Sequence, residues 1–135
     1  MRIVFGTDER TPLTDVIGET LRSVGHDVVT VADGEQWPAV GRAVGEAVAG
    51  GAADRGVVCC WTGTGVSMAA NKVAGVRAAL CTDSETARGA RRWNDANVLA
   101  LSLRLTSPEV AKEMLEAFLT TPVDDGEQSQ IEKLG

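Results

Sequence analysis

Gly56-Val57-Val58-Cys59-Cys60, followed by Trp61-Thr62-Gly63-Thr64-Gly65 and then Val66-Ser67-Met68-Ala69-Ala70-Asn71-Lys72, is the stretch from which the fold can be read. The first segment is a continuous apolar run, which suits a strand covered on both faces, as in a parallel sheet. The glycines of the second turn the chain sharply. Val66 to Lys72 then reads as a helix, so the stretch is the first half of a strand–helix–strand unit.

The same alternation extends in both directions. Arg2 to Phe5 reads as a strand ending at Gly6, and Pro12 to Val24 as a helix with Thr11 at its N-cap and Pro12 in its first position. Asp27 to Val31 is a second strand, and Pro38 to Ala49 a helix closed by Gly50 and Gly51. After the central stretch come a strand at Val76 to Cys81, a helix at Ser84 to Arg92, a strand at Asn97 to Leu101 and a helix at Pro108 to Leu119 capped by Ser107. This order predicts an α/β fold with a five-stranded parallel sheet between two helical layers. Residues 1–120 form a single domain, and 121–135 a polar, acidic tail. In such sheets ligands bind at the carboxyl ends of the strands. Attention therefore falls on Thr7-Asp8-Glu9, Cys60 to Gly65, Cys81 to Asp83 and Ser102 to Arg104.

Composition narrows the functional classes. A chain of 135 residues is one domain's length, too short for a separate cofactor domain. The net charge of −6 argues against nucleic-acid binding, which needs a basic surface, and Arg91-Arg92 is only a short basic step. No apolar stretch approaches the roughly 20 residues that cross a bilayer. The chain enters its first strand at once, so no signal peptide is expected. Three cysteines, two of them adjacent, make a poor disulfide framework and suit the cytoplasm. With no CxxC and a single histidine, His26, no metal site is expected. His26 precedes the second strand, at the wrong end of the sheet for ligand binding, and reads as structural.

The turn after the third strand has two readings. It is a plain strand-to-helix connection, or the free N–H groups at the helix start face an anionic ligand. It is neither a P-loop nor a GxGxxG fingerprint. Two readings of Cys60 also stand on the residues alone. Cysteines beside helix N-termini can serve as thiolate bases or nucleophiles, and cysteines also pack as small buried hydrophobes. Cys59 projects from the opposite face of the strand and reads as an inert core thiol. Adjacent cysteines on a strand point apart, which disfavours a redox pair.

The run Cys60-Trp61-Thr62-Gly63-Thr64-Gly65-Val66-Ser67-Met68-Ala69-Ala70-Asn71-Lys72-Val73-Ala74-Gly75-Val76-Arg77-Ala78-Ala79-Leu80-Cys81, the block Asn94-Asp95-Ala96-Asn97-Val98-Leu99-Ala100, Gly6-Thr7-Asp8, and Gly25-His26-Asp27-Val28 together resemble ribose-5-phosphate isomerase B and the galactose-6-phosphate isomerase subunits. The resemblance spans almost the whole chain. It implies a Rossmann-like three-layer sandwich and a homodimer, or a dimer of dimers, with both subunits at each active site. It implies no metal or cofactor. The implied reaction is proton transfer between C1 and C2 of an open-chain sugar or sugar phosphate through a cis-enediolate. On that template Cys60 is the base, and Thr62, Gly63, Thr64 and Gly65 hold the anion. Asp8 holds a hydroxyl, Asn94 binds the sugar beside Trp93, and Arg104 faces the phosphate. A proton next to a carbonyl needs a positioned base and fixed dipoles for the oxyanion, which fits that assignment.

The chain also departs from the family pattern. Glu9 and Trp93 stand where the family has histidines, the second being credited with opening the sugar ring. Ring opening therefore falls to Asp8, Glu9 or water, or the substrate is already open. The family's tail arginines fall near Gly126 and Gln130, in a segment that here is acidic or solvated. Trp61 replaces a glycine, and Trp37-Pro38 stands where the family often has Tyr-Pro. These indoles line a sugar face or pack in the core or the dimer interface. The expected function is an aldose–ketose isomerase whose substrate choice is altered from ribose 5-phosphate. The alternative is a non-catalytic dimeric relative that binds a sugar or anion.

Overall fold

In the computed structural model, which describes residues 1–135, the apolar runs form five parallel strands. In chain order the elements are β1 (Arg2–Thr7), α1 (Pro12–Ser23), β2 (Asp27–Asp33), α2 (Trp37–Ala49), β3 (Arg55–Cys60), α3 (Thr64–Asn71), β4 (Ala78–Leu80), α4 (Ser84–Asn94), β5 (Val98–Ser102), α5 (Pro108–Thr120) and α6 (Gln128–Ile131). The strand order is β2-β1-β3-β5-β4. Right-handed crossovers then decide the layers. The steps β1 to β2 and β4 to β5 run one way across the sheet, so α1 and α4 share a face with α5. The steps β2 to β3 and β3 to β4 run the other way, so α2 and α3 share the opposite face.

The two apolar clusters follow this division. Ile3, Phe5, Val57, Cys59, Leu99 and Leu101 pack under α1, α4 and α5, while Val4, Val58, Cys60, Val98 and Ala100 pack under α2 and α3. The period-two alternation of the strands thus sends the adjacent cysteines into different layers. On the second face, α2 and α3 touch backbone to backbone. A Cβ added at Gly41 would lie 2.6 Å from Ala69 Cβ and 2.7 Å from the Val66 carbonyl oxygen.

Local signals behave as their chemistry dictates. Thr11 caps α1, its Oγ1 accepting from the Thr14 N–H at 3.3 Å while Thr14 Oγ1 accepts from the Thr11 N–H at 2.9 Å. Asp83 caps α4 through the Thr86 N–H at 2.7 Å. Several elements differ from expectation: α3 starts at Thr64 rather than Val66, β2 runs on to Asp33 and α4 to Asn94. β4 spans Ala78–Leu80 rather than Val76 to Cys81. At this sheet edge side chains take over the bonding: Asn97 Oδ1 accepts from the Arg77 N–H at 2.7 Å, and Asn71 Oδ1 from the Ala78 N–H at 2.8 Å. The tail also holds structure. The Asp124 N–H donates to the Arg92 carbonyl at 2.9 Å, and Ile131 of α6 is buried, so the tail lies along α4 of its own chain. No helix is long and apolar enough to cross a membrane.

Candidate active site

The register of the central strands sets the site. Thr7 pairs with Cys59 and Cys60 with Ser102, so β1, β3 and β5 end level with one another. The Asp8 N–H donates to the Cys59 carbonyl at 3.3 Å, which brings Asp8 and Glu9 beside the cysteines. Past β3 the chain is pinned to β5. The Leu103 N–H donates to the Cys60 carbonyl, while the Arg104 N–H and Ser102 Oγ both donate to the Trp61 carbonyl, each at 3.0 Å.

Gly63 then reverses the chain at φ 78°, a left-handed conformation that favours glycine. Its N–H donates to Cys60 Sγ at 3.2 Å. Helix α3 begins at the next residue with no side-chain cap, and its first internal bond is that of Ser67 to the Gly63 carbonyl. The N–H groups of Thr64, Gly65 and Val66 are therefore the helix's free donors. Thr62 and Thr64 join their hydroxyls at 2.7 Å beside them. A nearly buried sulfur, an N–H aimed at it and a row of unpaired donors meet within one turn.

The surrounding carboxylates and thiols divide by environment. Burial pushes the Cys59 thiol far up, with the neighbouring Cys60 and Asp8 adding to it, so Cys59 stays a neutral core thiol. Burial, and then Asp83, push Cys81 up to about 11. Asp8 is raised by burial and then by the Glu9 carboxylate, and its Oδ1 is buried without any donor. Glu9 is exposed, its carbonyl accepting from Thr7 Oγ1 at 2.6 Å. Arg104 is exposed on the same rim, without a carboxylate partner.

Cys60, Thr62, Gly63, Thr64, Gly65, Asp8, Glu9 and Arg104 are thus brought together at the carboxyl end of the sheet. Trp93 and Asn94 are not. Val98 pairs with Gly56, so the residues that precede it lie beyond the amino end of β3. From Gly56 to Cys60 alone is roughly 13 Å of strand. Trp93 covers Gly89, and the Trp93–Asn94 corner lines a groove of about 620 Å³ with Leu80, Cys81 and Glu85.

Two features escape the sequence. The Trp37 ring lies against Gly65, where an added Cβ would be 2.8 Å from it, so an indole roofs the anion turn. Asp95, at φ 48°, is gripped by Arg91 Nη1 at 2.7 Å and Arg77 Nη2 at 3.2 Å, which fixes the corner that displays Asn94. In the sequence Arg91 stands beside Arg92, and nothing local marks it as the buried member of this clamp. No cluster of three potential metal-ligating side chains is present.

A sequence profile of the ribose/galactose isomerase family matches residues 3–134. The galactose-6-phosphate isomerase subunit LacB of Clostridium acetobutylicum is 38% identical over 96% of this chain and 78% of its own length. The D-erythrulose-4-phosphate isomerase of Pectobacterium atrosepticum is 35% identical over 95% of this chain and 86% of its own. The structure of ribose-5-phosphate isomerase B from Clostridium thermocellum superposes with a TM-score of 0.94 at 37% identity, covering 100% of this chain and 95% of that one.

Proposed function

The chain belongs to the ribose/galactose isomerase family, and from that premise we propose that it interconverts an aldose and a ketose sugar phosphate with Cys60 as the base. The observation that carries this reading is the Gly63 N–H on Cys60 Sγ at the head of α3. The thiolate takes the proton from C2 of the open-chain aldose. The C–H electron pair becomes the C1–C2 double bond, and the carbonyl pair moves to O1. The free N–H groups of Thr64, Gly65 and Val66 hold the oxygen on which this charge develops. The thiol then returns the proton to C1 as O2 gives up its proton and C2 becomes the carbonyl, while O1 is protonated. No oxidant or reductant is consumed. Asp8 holds a substrate hydroxyl, and Arg104 faces the phosphate.

Relatives named for erythrulose 4-phosphate, ribose 5-phosphate and galactose 6-phosphate mark out the substrate class. Within it the choice is altered from ribose 5-phosphate. A carboxylate such as Glu9 roughly 4–5 Å from a phosphate oxygen costs about 3–4 kcal/mol at an effective dielectric near 20. The tail offers Asp124, Asp125 and Glu127 where arginines would serve.

Asn94 reaches a Cys60 turn only from a second copy of the chain, so the working unit is a homodimer. Its amino-end corner and the tail lying on α4 enter the partner's site together. Cys60→Ala abolishes isomerisation with the fold intact, and Cys59→Ala perturbs packing instead. Full turnover by Cys60→Ala would move the base to a carboxylate such as Glu9. Mixing inactive Cys60→Ala with impaired Asn94→Ala chains restores about a quarter of native activity, because half of the random dimers carry one intact site. No recovery, or a stable active monomer by light scattering, contradicts the shared site.

A further inference from the structure

We infer that the substrate is a sugar phosphate that cannot close into a ring, of the tetrose 4-phosphate class, a conclusion that rests on the isomerase reading of the Cys60 turn. Pentose and hexose phosphates rest largely as cyclic hemiacetals. To open one, a proton leaves the anomeric hydroxyl and another reaches the ring oxygen as the bond from C1 to that oxygen breaks. Near neutral pH this two-way traffic suits imidazole above all other side chains.

The chain has one histidine and no tyrosine, so in any assembly of identical copies His26 is the only imidazole. His26 stands ahead of β2 at the amino end of the sheet, where its Nδ1 accepts from the Met1 ammonium at 3.1 Å. The length of the sheet separates it from the Cys60 turn of its own chain. A partner does not bring it there either. β2 is one edge of the sheet, and the Trp93–Asn94 corner precedes β5, three strands away in the order β2-β1-β3-β5. That is about 14 Å at normal strand spacing. The residue beside Asn94 is an indole, 55% exposed, with no proton to exchange in this range.

At the carboxyl end, Cys60 is committed to the carbon-bound proton. Asp8 turns one oxygen into the protein without a donor, Glu9 is exposed to water, and arginines do not titrate. Equipment for the C1–C2 transfer is present, and equipment for ring opening is absent. A tetrose whose 4-oxygen is esterified needs none. From C1 or C2 its remaining hydroxyls could close only strained three- or four-membered rings. The indoles suit a short chain as well: Trp37 lies on Gly65, and Trp61 stands at the mouth of the turn, 53% exposed.

The test compares erythrose 4-phosphate with ribose 5-phosphate while the concentration of the intact enzyme is raised. Turnover of the tetrose phosphate is expected to rise in proportion to enzyme. Turnover of ribose 5-phosphate is expected to level off at its spontaneous ring-opening rate, and added imidazole lifts that plateau alone. Trp93→His is expected to raise ribose 5-phosphate turnover relative to the tetrose by about 10²-fold, the usual worth of a placed acid–base group. Ribose 5-phosphate turnover that stays proportional to enzyme, with no imidazole effect, overturns the inference and leaves the isomerase reading standing. Failure of both sugars to exchange carbon-bound hydrogen with deuterated water removes the isomerase reading, and this inference with it.

Discussion

Replacing Gly63 by alanine perturbs the turn at its most constrained point. The residue sits at φ 78°, where an L side chain costs about 1–2 kcal/mol. The new methyl would lie 2.6 Å from Leu80 Cδ1, 2.9 Å from the Leu101 carbonyl carbon and 3.0 Å from its oxygen. Leu80 can turn aside, but the Leu101 atoms are backbone of β5, paired to Cys59 of β3, so overpacking adds about 1–3 kcal/mol. The expected loss of stability is about 2–5 kcal/mol, within the roughly 5–15 kcal/mol of an ordinary domain, so the variant still folds. Relief comes from moving Gly63 away from β5, which shifts the N–H that donates to Cys60 Sγ. A hydrogen bond to a charged group is worth about 1.5–3 kcal/mol, so kcat falls about 10- to 10²-fold. Urea denaturation reads the first effect and steady-state kinetics the second. Gly51→Ala is the control, since Gly51 has φ 83° with nothing within 4 Å of the added carbon. A Gly63→Ala protein no less stable than Gly51→Ala, with native kcat, would refute the reasoning.

Gly41→Ala forces apart α2 and α3 against the Val66 carbonyl and lowers stability by about 2–4 kcal/mol, read as an earlier urea midpoint. Asp8 binds its proton more tightly in the folded chain, so its contribution to stability is present below the ordinary carboxylate range and lost as pH rises through the raised value. Asp8→Asn should therefore be more stable than the native chain at pH 7. That advantage vanishes near pH 3, as thermal melts at the two pH values will show, while isomerisation weakens.

How much of this was legible in the sequence follows from which signals are local. The Cys59–Cys60 pair sorted correctly between layers because strand periodicity leaves no other choice. The turn was legible because Gly63 and Gly65 break an apolar run just before a helix. β4 was read too long because apolar residues continue past the point where Asn71 and Asn97 take over the edge. The tail's helical turn was missed because Ile131 alone anchors it in a polar segment. Trp37 on Gly65, and Asn94 at the far end of the sheet from Cys60, depend on how α2 and α4 return across the sheet. That is a property of the assembled topology and of no single segment.

The measurement closest to the central claim is deuterium incorporation from heavy water into recovered substrate, at C2 of the aldose or C1 of the ketose, by the native chain and by Cys60→Ala at equal folded concentration. The native protein is expected to exchange, Cys60→Ala to lose exchange, and Cys59→Ala to keep it. Equal exchange by Cys60→Ala and the native protein would contradict the role of Cys60 as the base.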